Sequence, residues 1–167
     1  CLEARAQAAF PTAMTVHRLD KETSGVVVMG LNRPAHAHLS QQFETRQTRK
    51  IYIARVWGHL SEDEGHIDLP ISCDWPNRPK QMVDPVNGRP AQTNWKVIGC
   101  EAAATRVELH PMTGRSHQLR VHMLSLGHPI LGDNFYAHEA ALIAADRLQL
   151  HAEYLGFQHP SEGRDCV

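Results

Sequence analysis

The sequence predicts an α+β fold in which a mixed, largely antiparallel sheet carries flanking helices and loops. Several segments alternate apolar and polar residues with the period of a β-strand; the clearest cover residues 50–57, 91–100, 105–110 and 148–157. Segments with helical periodicity are few and short; they cover Leu2–Ala9 and residues 34–46, 117–126 and 137–145. The chain contains no internal repeat or linker, so a single domain over residues 1–167 is expected.

The first half of the chain is expected to begin with a helix and to continue in short strands. Leu2–Ala9 is rich in alanine, and Pro11 disfavours helix in the residue before it. Residues 16–19 predict a short strand, and residues 26–31 predict a buried strand because three valines follow a glycine there. Pro34 suits the first turn of the next helix.

The second half is expected to contain a hairpin and the helix with the richest set of polar residues. Strands over residues 80–83 and 91–100 should pair across Asn87-Gly88, since Asn-Gly is a strong hairpin signal. Ser116 is the expected N-cap of the helix over residues 117–126 because a serine hydroxyl can accept from a free helical N–H.

Composition and charge narrow the class of protein. The sequence is 42% hydrophobic and 21% charged, as in ordinary globular domains, and no apolar run approaches the roughly 20 residues of a membrane span. No secretory signal is visible at the start, so a soluble protein is expected. Seventeen basic against eighteen acidic residues give a net charge of −1, so contact with nucleic acid requires a local basic patch.

The cysteines and histidines do not form a recognisable metal motif. Cys1, Cys73, Cys100 and Cys166 lie far apart in sequence without a Cys-x-x-Cys pair, which argues against a zinc ribbon or a disulfide scaffold and favours the reducing cytoplasm. The twelve histidines are scattered, and no His-Glu-x-x-His motif occurs. No metal site is therefore expected.

Three groups of polar residues stand out, and each has two interpretations. Asp20 is expected on a tight loop beside Arg18, where its carboxylate either forms a structural ion pair or is catalytic. Tyr52 follows basic residues on a strand, and its side chain is either a half-buried structural residue or a reactive phenol. Arg115 lies at the start of a helix, where it could bind phosphate, and Arg120 is either an exposed helix charge or part of the site.

The same three groups resemble the motifs of one enzyme family. Residues 17–25 (HRLDKETSG) match the H-R-L-D-x-x-T-S-G motif of RluA-type pseudouridine synthases. Residues 50–52 (KIY) match their K-x-Y motif, and residues 114–120 (GRSHQLR) match their G-R-x-H-Q-[IL]-R motif. Residues 128–133 and 148–152 are similar to later landmarks of that family. The resemblance implies the pseudouridine synthase catalytic fold and the isomerisation of uridine in RNA.

The resemblance assigns three catalytic residues. Asp20 falls on the catalytic aspartate, which takes part as the C1′–N1 bond of uridine breaks and the uracil is rejoined through C5. The chemical route stays open between addition to C1′, addition to C6 and removal of the 2′ proton. Arg120 falls on the arginine that pairs with the aspartate and favours its ionised form. Tyr52 falls on the tyrosine that stacks on the target base and is a candidate proton relay.

The resemblance also implies how the RNA is held. Arg18 falls on the residue that fills the gap left by the flipped base. Contacts to RNA are expected from His17, Arg78, Lys80 and Arg115, and Leu150, Thr23 and Gly25 are expected to shape the pocket. No cofactor or metal is implied. Residues 73–79 and 88–93 resemble the branch of the family that modifies a 23S rRNA loop and a tRNA anticodon stem-loop.

Two other functions are alternatives to RNA pseudouridine synthesis. A catalytically silent RNA-binding module would keep the basic contacts without needing Asp20. A glycosidase would need a second carboxylate paired with it, and the H-R-L-D-x-x-T-S-G, K-x-Y and G-R-x-H-Q-[IL]-R patterns prescribe none besides this aspartate.

The domain is expected to be truncated: the N-terminal strands of the family and its last C-terminal strand, after Pro160, are expected to be missing. Such a truncation would leave an unpaired sheet edge. A complete domain is therefore expected to be a monomer, and a truncated one is expected to dimerise through its edge strand.

Overall fold

The structure, a computed structural model, describes residues 2–167. The helices are α1 (Leu2–Ala9), α2 (Arg33–Glu44), α3 (Gln118–Ser125) and α4 (Glu139–Ile143). The strands are β1 (Met14–Thr15), β2 (Ser24–Gly25), β3 (Met29–Gly30), β4 (Arg49–Trp57), β5 (Glu64–Asp68), β6 (Ile71–Cys73), β7 (Gln81–Val83), β8 (Gln92–Cys100), β9 (Ala104–Pro111), β10 (Leu150–Gln158) and β11 (Asp165–Cys166).

One large sheet organises the domain. Its strands run in the order β11-β10-β4-β9-β8-β5, all antiparallel, while β2 pairs with β10 in parallel. Two small antiparallel pairs, β1 with β3 and β6 with β7, lie apart from it. The predicted α+β fold with a mixed, largely antiparallel sheet is confirmed. Within residues 2–167, no helix has the length and apolar character required to cross a membrane.

The main core lies between one face of this sheet and α3. Val56, Val107 and Leu109 are fully buried on the central strands, because every second residue of these strands points to the same side. Leu119 and Met123, one helical turn apart on α3, pack against this face. These two buried residues fix α3, and with it the polar residues of the helix, against the sheet.

The predicted buried strand over residues 26–31 is wrong. Only Met29–Gly30 is a strand, and Val26 is 45% exposed. The Val28 N–H donates to Nε2 of His17 at 3.1 Å, so this backbone group is bound by a side chain instead of a neighbouring strand. The strand predicted at residues 16–19 lies earlier, at Met14–Thr15, where it pairs with β3.

The predicted hairpin across Asn87-Gly88 is also wrong. β7 pairs with β6, whereas β8 pairs with β5 and β9. The carboxylate of Asp84 accepts hydrogen bonds from the backbone N–H groups of Val86 and Asn87, and this side-chain turn sends the chain away from β7.

Ser116 does not cap α3. The N-cap is His117, in the left-handed conformation with φ +53°. The side chain of Gln118 takes over at this end, because its Oε1 accepts from the N–H of Arg115 at 3.0 Å and from the hydroxyl of Thr113 at 2.7 Å.

The outer edge of β10 is covered at both ends. Strand β2 pairs with it at residues 151–152, and β11, which lies beyond Pro160, pairs with it at residues 157–158. The side chain of Gln42 on α2 also makes two hydrogen bonds to the backbone of Gln158. Residues 2–167 therefore do not leave this edge fully open, and the expected edge-strand dimer stays a prediction.

Candidate active site

The loop that carries Asp20 is held by β10. Ser24 and Gly25 pair in parallel with His151 and Ala152. Gly25 has φ +117°, and a Cβ on it would lie 2.1 Å from the carbonyl oxygen of Ala152. Glycine is therefore required here, because it fits both the backbone conformation and the close approach. The Thr23 N–H donates to the Asp20 carbonyl at 3.0 Å and closes the turn.

Arg120 lies between two carboxylates. Its Nη1 is 3.6 Å from Oδ2 of Asp20, whose side chain is 23% exposed. Its Nε and Nη2 donate to the two oxygens of Asp133 at 2.7 and 2.6 Å, and Asp133 is fully buried. The structure brings the predicted pair together, but the strongest partner of Arg120 is a residue for which no role was predicted. The only signal was its position in the landmark at residues 128–133.

Two aromatic rings and a histidine complete the surroundings of Arg120. The rings of Phe135 and Tyr136 each lie 5.1 Å from its guanidinium carbon. The Tyr136 hydroxyl accepts from the Gln81 N–H at 2.8 Å and is hydrogen-bonded to Nδ1 of His117 at 2.6 Å. Burial lowers the pKa of His117 and so favours its neutral ring.

Tyr52 lies on β4, packs against the core and lines the same cavity as Asp20. Burial, and to a lesser extent the negative charge of Asp20, raises the pKa of its phenol to about 12. The hydroxyl therefore keeps its proton at neutral pH. Leu150, on the neighbouring strand β10, is 4% exposed and lines the cavity; its role in shaping the pocket for the base stays a prediction.

The cavity has a volume of about 590 Å³, in the range of small-molecule sites. It is lined by the predicted residues His17, Arg18, Asp20, Thr23, Tyr52, Arg115, Arg120 and Leu150. The hydroxyl of Thr23 is buried and has no hydrogen-bond partner among residues 2–167. Three further cations, Arg46, Lys50 and Arg89, line the cavity as well, together with the carboxylate of Glu44.

The remaining predicted residues lie in different surroundings. Arg18 is exposed beside Asp20. His17 stacks on Phe43 at 4.4 Å, and burial together with the charge of Lys50 lowers its pKa to about 4. Arg78 lies over the ring of Trp75 at 4.8 Å, near Lys80 and outside the cavity lining. Their contacts with RNA stay predictions.

Within the described residues, no three His, Cys, Asp or Glu side chains are placed to hold a metal.

The comparisons with known proteins agree on one family. A family model described as RNA pseudouridylate synthase matches residues 2–125. A relative from Yersinia pestis, named dual-specificity RNA pseudouridine synthase RluA, is 59% identical over 160 residues, which cover 95% of this chain and 78% of that protein. The protein of the same name from Escherichia coli K12 is 57% identical over 164 residues, which cover 98% of this chain and 75% of that protein.

A solved structure shares the fold. The human RNA pseudouridylate synthase domain containing 1 superposes with a TM-score of 0.86 at 29% identity. The match covers 99% of this chain and 72% of the human one. The fold is therefore shared with a distant human relative.

Proposed function

The chain belongs to the RNA pseudouridylate synthase family, and we propose that its Asp20, Tyr52 and Arg120 convert uridine to pseudouridine in RNA. The isomerase activity follows from the family. The assignment of residues rests on one observation: the carboxylate of Asp20 faces Arg120 at 3.6 Å in a cavity that Tyr52 also lines.

The reaction needs no partner besides RNA and water. The C1′–N1 bond breaks, the uracil turns, and a C1′–C5 bond forms. The proton on C5 leaves to water, and N1 takes up a proton. One carboxylate can serve as nucleophile or as base in this sequence. Arg120 supports this role because a positive charge close to Asp20 favours the ionised carboxylate in a partly closed cavity.

The flipped base has suitable neighbours. The ring of Tyr52 offers a stacking surface, and its proton is retained because the pKa lies near 12. The unpartnered hydroxyl of Thr23 is suited to a uracil oxygen or N–H. Arg18, exposed on the same loop, is suited to fill the gap in the RNA stack.

The RNAs we propose are a 23S rRNA loop and a tRNA anticodon stem-loop. The support is that relatives at 57% and 59% identity carry the name dual-specificity RNA pseudouridine synthase. The test is to incubate the chain with each stem-loop transcript and to map pseudouridine by mass spectrometry of nuclease fragments. One modified uridine in each transcript is expected. Modification of only one transcript would refute the dual specificity but leave the activity standing.

The alternatives have less support. A silent RNA-binding module does not require the ion pair between Asp20 and Arg120, yet the pair is intact. A glycosidase needs two available carboxylates, whereas Asp133, which shares Arg120 with Asp20, is fully buried. Its oxygens also accept from Arg120 and from backbone N–H groups. The cytoplasmic location and the monomeric state stay predictions.

A further inference from the structure

Four buried polar side chains form one continuous network of hydrogen bonds beside the cavity. They are Thr93 on β8, Thr113 in the loop before α3, and Gln118 and His122 on α3, and none is more than 4% exposed. Thr113 and Gln118 line the cavity, whereas Thr93 and His122 do not. Buried polar groups cost free energy unless each finds a partner, so a network in which all four are paired restricts where each can lie.

The side-chain amide of Gln118 lies at the centre of this buried network and has a single possible orientation. Its Nε2 donates to the carbonyl of Gln92 at 2.9 Å and to the hydroxyl oxygen of Thr93 at 3.0 Å. Its Oε1 accepts from the backbone N–H of Arg115 at 3.0 Å and from the hydroxyl of Thr113 at 2.7 Å. A carbonyl only accepts and a backbone N–H only donates, so a flipped amide would lose both of its bonds to the backbone.

The hydrogen bonds at His122 also run in one direction. Its Nε2 lies 3.0 Å from the carbonyl oxygen of Leu69, which only accepts, so Nε2 carries a proton. Burial lowers the pKa of His122 and favours the neutral ring, against the opposing effects of the Leu69 bond and of the Asp68 charge. A neutral ring can only accept at Nδ1, where the hydroxyl of Thr93 lies at 2.9 Å. Thr93 therefore donates to His122 and accepts from Gln118.

The buried network fixes α3 to the sheet at the end of the helix that lacks a side-chain cap. The N-cap residue is in the left-handed conformation, and its side chain makes no capping bond. Gln118 and His122 are one helical turn apart, and both bond to Thr93 of β8. Arg120 lies between them on the same helix, so a shift of α3 along β8 would move its guanidinium relative to Asp20.

We propose that Thr93 and His122 are positioning residues, which act through Gln118 to hold Arg120 opposite Asp20. The proposal rests on the proposed function, because it is in that reaction that Arg120 supports the carboxylate. Without the Thr93 hydroxyl, Nδ1 of His122 and one N–H of Gln118 would lose their partner, so α3 would have to shift to satisfy them. A displacement of about 1 Å in a group of the active site can lower turnover about 100-fold.

The test compares substitutions of two buried threonines in the full chain. Thr93→Val keeps the branched shape of the side chain and removes its hydroxyl, whereas Thr93→Ser keeps the hydroxyl. Thr105→Val is the matched control, because Thr105 is 1% exposed on β9 and its hydroxyl donates to the Gly58 carbonyl at 2.7 Å. Thr105 does not line the cavity. Turnover is measured over a range of stem-loop RNA concentrations, and the free energy of unfolding is measured in urea.

Thr93→Val should lower kcat about tenfold and change KM less than about threefold, because the buried network acts on Arg120 and does not contact the RNA. Thr93→Ser should restore kcat to within about threefold of the unsubstituted chain. Thr105→Val should also lose stability but keep kcat within about twofold. An unchanged kcat in Thr93→Val would overturn the proposal, and so would an equal loss of kcat in Thr105→Val or a Thr93→Ser variant no more active than Thr93→Val.

NMR spectroscopy tests the same proposal without relying on activity. At neutral pH the ring of His122 in the unsubstituted chain should be uncharged with its proton on Nε2, and a charged ring or a proton on Nδ1 would overturn the proposal. The signal of the Arg120 Nε–H, which donates to Asp133, should shift in Thr93→Val but not in Thr105→Val. An unsubstituted chain without turnover would refute the proposed function alone, since the Arg120 signal still reports the position of α3. An Arg120 signal that is unmoved in Thr93→Val would overturn the positioning role.

Discussion

Arg120 is held by Asp133 along one edge of its guanidinium, through Nε and Nη2, and this leaves Nη1 to face Asp20 at 3.6 Å. A bidentate pair fixes the plane of an arginine as well as its position. Asp133 therefore acts as a positioning residue for the charge that faces the catalytic carboxylate. The rings of Phe135 and Tyr136 restrict the same guanidinium further.

Asp133→Asn is expected to weaken both folding and catalysis. The buried guanidinium of Arg120 would lose its principal counter-charge, and breaking a buried pair in this way costs about 3–5 kcal/mol. Urea unfolding and turnover under saturating RNA are the measurements, with the exposed Asp146→Asn as the control. A variant that unfolds at the same urea concentration and turns over at the same rate as the unsubstituted chain would contradict this role.

Gly25→Ala is expected to abolish turnover and to destabilise the fold strongly. A Cβ at this position would lie 2.1 Å from the Ala152 carbonyl oxygen, so the Asp20 loop could not stay paired with β10. Gly127→Ala is the matched control, since Gly127 also has positive φ but a methyl group added to it would meet no atom within 4 Å. The control should lose only about 1 kcal/mol in the free energy of unfolding. Equal losses in both variants would show that backbone strain alone matters.

Tyr52→Phe is expected to lower kcat about 10- to 100-fold while KM changes little, because the ring remains for stacking and the proton donor is lost. The pKa of Tyr52 is about 12, so its phenol stays protonated through pH 10. The pH–rate profile of the unsubstituted chain should therefore show no step from this group between pH 8 and 10. Tyr154→Phe is the control on β10. An increase in rate with pH that disappears in Tyr52→Phe would instead identify a phenolate base.

Acid is expected to destabilise the fold partly through His17. Its pKa is lowered from 6.5 to about 4, so the folded state binds the proton more weakly than the unfolded state. This contribution to stability is present above pH 6.5 and is lost as the pH falls towards 4. Between pH 7.5 and pH 5, the loss in the free energy of unfolding should be about 1 kcal/mol smaller in His17→Gln than in the unsubstituted chain. This difference is less than the full pKa shift would give, because the ring is partly solvated.

The measurement is urea unfolding at pH 7.5 and pH 5, and each variant is compared with itself. The exposed His59→Gln is the control. His117 and His122 also have lowered pKa values, so some loss of stability in acid should remain in the His17 variant. An undiminished loss in His17→Gln would contradict the buried, neutral state of this ring.

The strands that were predicted well are those with one buried face. Strand β4 differs from the predicted residues 50–57 by a single residue, because alternation along a strand is a local signal of burial. The three valines at residues 26–28 carry the same kind of signal, but a strand also needs a partner, and that backbone is bound by His17. Which strands pair is decided over long distances in sequence, so the predicted hairpin of β7 with β8 failed.

The site shows the same division. The motifs containing Asp20, Tyr52 and Arg120 were visible in the sequence, and the structure places all three around one cavity. The role of Asp133 could not be predicted, because the residue lies 13 positions from Arg120 in the sequence. The two meet only because the chain turns back after Ile130, which pairs with Val56 of β4. Arg89 joins Arg46 and Lys50 at the cavity only after folding, since it lies far from both in the sequence.

The decisive measurement for the role of Asp20 is the release of tritium from C5-tritiated uridine in an RNA stem-loop. The unsubstituted chain should release one tritium for each pseudouridine formed, because the C5 proton leaves when the C1′–C5 bond is complete. Asp20→Asn should bind the same RNA with similar affinity and release no tritium above the protein-free control. Release by Asp20→Asn at a rate close to that of the unsubstituted chain would show that another group carries the chemistry.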